Sequence, residues 1–490
     1  MRSTFAATLL VPLLVPQFGW LSRRPVSFTP STTLSGIGAG RETISDAVLA
    51  RRAELMIESQ TFAIMRDPEA LAGAERITRL EPLFRQAGNV SGLPPQLIAA
   101  IAYLESWGKP NAQSYAGPKG MMQISGATAQ MMGLRMIYGK RYRTVVERRQ
   151  VRKKGKLLWQ KQTRRIPYQV LLRDERLIPA KAVPAAARYL ARLDQQYGRD
   201  WAVFAYHCGT GCMTEMRAIA ERAGVKQPIT VARTFFGAHP GLRRELYDAL
   251  QHHMERDYSP TYWFRIMRAQ QLLELYRTKP AEFTRLFEQY RNRTNPIQRA
   301  PHRLSVWLTP EDLAFNNCEE LRKESGRSLV RAFDNPEFFG FALSPLIGRD
   351  DPVNRDLYHH VSPAALGTLA YIAYETRRLH EAMKPRGEKF VPLQITSLVV
   401  PRDAEQNRQT GRDFVSHCTG QVFDISWANL PNGQREALEF VMNDMGWDGY
   451  LGFIRRSGAE SEYQVGAAPT ARDFFLRVYD EAVAKTRESD

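Results

Sequence analysis

The stretch LPPQLIAAIAYLES, Leu93 to Ser106, opens on two prolines and is apolar at most positions after them. Pro94 and Pro95 suit a first helical turn, where a missing N–H costs nothing, and Gly108 supplies a stop. Ile98, Ile101 and Glu105 stand at i, i+3 and i+7, so the carboxyl shares a helix face with apolar side chains. Such a setting suits a general acid, although an ordinary surface glutamate in a last turn has the same spacing. The surroundings favour the acid. From Ser106 to Val146 there is no Asp or Glu, and Ser114–Gly126 reads as a Gly-rich loop. Glycosidases that flank the scissile bond with two carboxylates need a second one, which the local sequence does not offer.

Helical patterning extends both ways from this segment. Apolar residues recur from about Arg41 to Gly88, and a second helix is expected near Asp67-Pro68. Helices resume after Pro179, with AVPAAARYLARLDQQYG and the apolar Trp201–Tyr206. From about Pro240 to Arg293 the pattern is helical again, with Tyr262, Trp263, Phe264 and Tyr276 expected as packing residues. Thr144–Lys153 and Lys156–Thr163, joined by Lys154-Gly155, predict a β-hairpin. Polar Asn292–His302, with two prolines, marks a boundary. Beyond it Ser362-Pro363 opens a helix with an apolar stripe at Leu369, Ile372, Leu379 and Met383. Short β-like runs follow at Leu393–Val399, Gln421–Ile425, Tyr450–Arg455 and Glu462–Ala467, with a helix Gln434–Met445 stopped by Gly446. This half predicts an α+β fold.

At 490 residues, 43% hydrophobic and 24% charged, the chain has the profile of a globular protein of two or three domains. A wholly disordered chain, a collagen and a polytopic membrane protein are excluded. The net charge of +17 is concentrated: Lys140–Arg165 holds twelve Lys or Arg and one acid, Glu147. That favours a polyanionic partner. At the N-terminus, Arg2 precedes an apolar run from Thr4 to about Trp20, too short to cross a bilayer comfortably. A signal peptide, or an N-terminal anchor, is expected over 1–24, and with it an exported, periplasmic or cell-envelope location. Cys208, Cys212, Cys318 and Cys418 could pair in an exported chain or remain thiols.

Three ordered motifs carry a family resemblance. Glu105-Ser106, then Gly120-Met121-Met122-Gln123-Ile124, then Ala205-Tyr206-His207-Cys208-Gly209 resemble those of SLT-type lytic transglycosylases, relatives of goose-type lysozyme. The resemblance covers roughly Leu80 to Met213, with the basic hairpin as an insertion. It implies a mainly α, lysozyme-like domain over 41–225, a helical connector over 226–300 and an α+β accessory domain over 301–490. It also implies cleavage of the β-1,4 bond between N-acetylmuramic acid and N-acetylglucosamine in peptidoglycan, with Glu105 as acid and then base, closing a 1,6-anhydro ring. Among the other motif residues, Gln123 can hold a sugar amide or hydroxyl, Tyr206 can orient Glu105, and Ser106 can bond the acetamido region. Met122 would line a sugar-binding wall or pack beneath it. His207 stands where the family usually has Asn; it can still donate a hydrogen bond, with its own pH dependence. A muramidase of the same fold and a non-catalytic wall-binding scaffold are the alternatives. The partners expected are glycan strands and stem peptides, with peripheral envelope association. Nucleic acid is disfavoured because no recognition motif accompanies the charge.

The second constellation is Ser416-His417-Cys418-Thr419-Gly420-Gln421-Val422-Phe423-Asp424. His417 and Asp424 resemble the first two zinc ligands of D-Ala-D-Ala peptidases with the Hedgehog-type fold. The third ligand is missing, since no His follows His417 and Gln464 stands where it is expected. A catalytic zinc normally has three protein ligands and an open position. No cofactor is expected for the glycan-cleaving domain, zinc in the C-terminal domain is disfavoured, and a domain that grips stem peptides is preferred.

Overall fold

The computed structural model describes residues 28–31, 34, 44–153, 156–256, 259–291, 314–407, 416–456 and 461–489. The expected leader over 1–24, the turn Lys154-Gly155 and the expected boundary at Asn292–His302 lie outside them. The helical part contains α1 (Asp46–Met65), α2 (Ala70–Arg79), α3 (Glu81–Ser91), α4 (Pro95–Ser106) and α5 (Gly126–Met131). A two-stranded ribbon follows, β1 (Met136–Lys153) and β2 (Lys156–Asp174). Then come α6 (Pro179–Tyr197), α7 (Arg199–Cys208), α8 (Thr210–Arg222), α9 (Val231–Gly237), α10 (Arg244–Arg256), α11 (Tyr262–Thr278) and α12 (Pro280–Arg291).

Helix α4 is the centre of this part. Leu97, Ile98, Ile101 and Tyr103 are buried, and each apolar side chain removed from water contributes about 1.5–3 kcal/mol. Helices α3 and α11 pack on it. The described part of the stretch 226–300, expected as a connector, packs into the helical body: α11 also packs on α1. The hairpin is longer than the hydrophobic pattern suggests. Its antiparallel register runs without interruption from Tyr138 opposite Leu171 to Lys153 opposite Lys156. Polar, basic flanks obscure strand ends that a ribbon with two solvent-facing sides does not need to mark with apolar residues.

The second half begins with α13 (Cys318–Glu324) and the short pair β3 (Val330–Arg331) and β5 (His360–Val361). A five-stranded mixed sheet has the order β4-β6-β7-β9-β8, formed by β4 (Phe341–Leu343), β6 (Leu393–Ser397), β7 (Val422–Ser426), β9 (Glu462–Ala467) and β8 (Leu451–Arg456). Only β4 and β6 run parallel within it. Helix α14 (Pro363–Met383), capped by the Ser362 hydroxyl, packs against α16 (Asn432–Trp447) and α17 (Arg472–Ser489); the six-residue α15 (Arg402–Asn407) lies between β6 and β7 in the chain. At Gly367 a β-carbon would stand 2.0 Å from the Phe475 carbonyl oxygen, so only glycine allows α14 and α17 so close. Helix α16 runs through Gly446, expected as its stop, and the chain turns at Gly449, where φ is 74°.

The two halves share one apolar core. Arg52 of α1 is fully buried and bonds Asp444 of α16 and Asp448 at its C-cap, each at 2.6 Å. Trp447 packs on Phe235 and Phe236. Upstream of α1, Phe28 donates its N–H to Phe338 and Leu34 donates to the Tyr371 hydroxyl, so the chain crosses the α+β half before it enters the helical half.

Candidate active site

Helix α4 ends one residue beyond Glu105. Trp107 takes a left-handed conformation with φ 54° and donates its N–H to the Tyr103 carbonyl at 2.8 Å. The Trp107 ring packs edge-on against Tyr103, and Arg76 holds its carbonyl at 2.8 Å. The stop expected at Gly108 thus falls at Trp107, braced by a second helix.

The Glu105 side chain is only 12% exposed. Its Oε1 accepts a hydrogen bond from the Tyr262 hydroxyl at 2.6 Å. His207 Nδ1 lies 3.7 Å from the same oxygen, and its ring stacks on Tyr262 with centroids 4.4 Å apart. The carboxyl opens on a cleft of about 450 Å³ whose walls also include Gln113, Ser114, Gln123, Tyr206 and His207. Glu105 is the one carboxylate among the cleft-lining residues described.

Tyr262 was expected only to pack. Its ring does so, and it is wholly buried. A buried phenol needs a hydrogen-bond partner, but sequence alone does not say that the partner, 157 residues away, is Glu105. The orienting role expected of Tyr206 is instead met by Tyr262. Tyr206 donates to the Met122 carbonyl at 2.8 Å. Burial, reinforced by the nearby Glu105 charge, pushes its phenol well above the usual range.

Ser106 and Met122 also take different places from those expected. Ser106 is buried, and its hydroxyl donates to the carbonyls of Met121 at 2.8 Å and Ala102 at 3.2 Å. It therefore ties the helix end to the loop, and Ser106 is not among the described cleft-lining residues. The Met122 side chain is 1% exposed, beneath the cleft floor. Gln123 does line the cleft, with its amide N–H donated to the Gly120 carbonyl at 2.9 Å. Its φ of 45° is costly for a residue with a side chain and is held by the turn around it.

That turn rests on a residue the sequence did not single out. At Gly120, φ is 81° and a β-carbon would stand 2.0 Å from the Arg176 carbonyl oxygen. Buried Arg176 pairs with Asp174 at 2.7 Å and donates to the Ile124 carbonyl at 3.1 Å. The end of β2 is thus locked under the cleft floor.

In the second half His417 and Asp424 do meet. The His417 Nε2 lies 3.1 Å from Asp424 Oδ1, and both side chains are buried. Gln464 is the register partner of Asp424, and its amide nitrogen lies 3.3 Å from each ring nitrogen of His417. Among the described residues the imidazole meets one carboxylate and one amide, a donor set that fits a catalytic zinc ion poorly. Among the described residues no group of three His, Cys, Asp or Glu side chains could hold a metal. The four cysteines are thiols.

The order of these parts matches a known family. Residues 82–150 and 158–227 match the Transglycosylase SLT domain. The gap between the two matched blocks falls at the tip of the ribbon. The membrane-bound lytic murein transglycosylase F of Ectopseudomonas mendocina is 27% identical over 159 residues, which is 31% of this chain and 25% of that protein. The protein of the same name in Alcanivorax borkumensis is 26% identical over 212 residues, 39% of this chain and 36% of the relative. The peptidoglycan transglycosylase gp16 of Escherichia phage T7 is 31% identical over 131 residues, 26% of this chain and 8% of that protein. The chain thus spans about a third or less of the length of these relatives. No described helix is long and apolar enough to cross a membrane.

Proposed function

We propose that this chain is an exported peptidoglycan lytic transglycosylase that uses Glu105 as its single acid and base. The observation that carries this reading is a cleft with one carboxylate, fixed by Tyr262, inside an SLT domain. Tyr262 holds one carboxyl oxygen and leaves the other to face the substrate. Glu105 protonates the glycosidic oxygen between N-acetylmuramic acid and N-acetylglucosamine, and the C1–O bond breaks. The acetamido group of the same sugar stabilises the cation at C1. The carboxylate then takes the proton from the C6 hydroxyl of that sugar, whose oxygen closes on C1 to give a 1,6-anhydro end. The hydroxyl is held within the same ring, so its effective concentration replaces an activated water. Gln123 presents an amide oxygen to a sugar N–H or hydroxyl, and His207 offers a donor in place of the family's usual Asn.

His207, with Nδ1 3.7 Å from the Glu105 carboxyl, is the feature that favours a hydrolytic muramidase as the second reading. The α+β half is proposed as an accessory domain, with His417, Asp424 and Gln464 gathered as a buried polar node. Digestion of purified sacculi tests the assignment of the acid. Wild type should release soluble muropeptides and Glu105→Gln should release none; equal release would remove Glu105 from the mechanism.

A further inference from the structure

Beyond Met136 at its root, no described residue of the ribbon β1–β2 packs on the apolar core. The ribbon pairs with no other strand, and at about 3.4 Å per residue its 18-residue β1 reaches roughly 60 Å from the root. Edge strands are commonly protected by charge, and that alone would account for the lysines and arginines. It does not account for the aromatics. Residues directly opposite in the register share a face. One face therefore presents Tyr138, Tyr142 and Val146 at every fourth position of β1, followed by Trp159 opposite Gln150. All four are more than half exposed, from 52% to 66%. Between these rows, on the same face, lie cationic rows that include Arg148 opposite Lys161. Arg165 lies over the Tyr142 ring at 5.2 Å, so the two kinds of group work as one platform. Solubility selects against large exposed apolar side chains, so this alternation has another purpose.

We infer that the ribbon is a second polymer-binding surface, an arm that holds an acidic glycan strand through its sugar faces and its peptide carboxylates. This rests on the proposed function for the identity of the polymer. Charge complementarity chooses the carboxylate-bearing strand, and the root of the ribbon chooses the same polymer that enters the cleft. Asp174 and Arg176 clamp the end of β2 to the carbonyl of Ile124, next to Gln123. An arm fixed to the cleft floor keeps the strand attached after one bond is broken, and successive cuts then fall on one strand.

Two double variants of the full chain test this: Tyr142→Ala with Trp159→Ala, and Arg148→Glu with Lys161→Glu. Binding to intact sacculi should fall roughly tenfold in each, and wild-type binding should weaken with salt. Turnover of a short soluble glycan of two disaccharide repeats should be unchanged, since none of the four altered residues lines the cleft. Sacculi whose carboxylates have been converted to amides with a carbodiimide and an amine should bind wild type as weakly as untreated sacculi bind the charge-reversed variant. Sacculus binding equal to wild type in both variants would overturn the arm. So would variants that lose binding to phosphatidylglycerol vesicles or to a single-stranded oligonucleotide while keeping sacculus binding. If wild type cleaves neither substrate the enzymatic reading fails, while the binding comparison still decides the arm.

Discussion

The role proposed for Glu105, giving a proton and then taking one back, needs a fixed direction, and the Tyr262 hydroxyl at 2.6 Å supplies one. Tyr262→Phe keeps the buried ring and removes only this bond. Hydrogen bonds to charged groups are worth about 1.5–3 kcal/mol, so kcat should fall roughly 10- to 100-fold with KM and Tm little changed. An unaltered kcat would show that Tyr262 only packs. Glu105→Gln should cost about two to four orders of magnitude, the range of general acid–base catalysis. Glu105 as the candidate acid was legible in the sequence, because an apolar helix face followed by an acid-free loop is a local pattern. Its partner was not, because a buried tyrosine on a distant apolar helix looks like any packing residue. Ser106 and Met122 share this difficulty. Their motif positions are readable, but whether a side chain points into the cleft or beneath it is decided by the turn at Gly120.

Among the elements, the ribbon depends most on one end. Asp174, Glu175 and Arg176 form its root, where Glu175 pairs with Lys181 and accepts the Arg135 N–H at 3.0 Å. The Lys181 ammonium, helped by that N–H, holds the Glu175 carboxyl down at about 2. Burial alone would raise Asp174, but the Arg176 hydrogen bonds outweigh it and keep the carboxyl low. Both groups are thus depressed in the folded state. Their stabilisation is complete above the ordinary carboxylate range and is lost as pH falls through the folded values. Protection of the Met136–Gly139 amides from hydrogen exchange should therefore be retained at pH 6 and lost progressively below pH 4, before the α4 amides open; equal loss in both would contradict a local root. The hairpin was readable from Lys154-Gly155 and its flanking strands, and its length was not. Apolar alternation marks a strand with a buried face, and this ribbon buries neither.

For the whole molecule, the helical and α+β halves are bound by more than succession along the chain. Arg52 between Asp444 and Asp448 and the Trp447 contacts with Phe235 and Phe236 make the interface part of the core. Arg52→Ala leaves two buried carboxylates without their partner, which should cost about 3–5 kcal/mol. Denaturant unfolding should stay a single transition with a lower midpoint; two separated transitions in wild type would contradict the shared core. The α+β character of the second half was legible from its alternating strands and its Ser-Pro helix start. The joining of the halves was not, since Arg52 reads as one more surface cation on an amphipathic helix. The central claim is that the molecule cuts glycan strands with one carboxylate and no water. The most direct measurement is mass spectrometry of muropeptides released from sacculi in water enriched in oxygen-18. The account predicts anhydro-muramic ends that carry no heavy oxygen; reducing ends labelled with it would contradict the account and identify a muramidase.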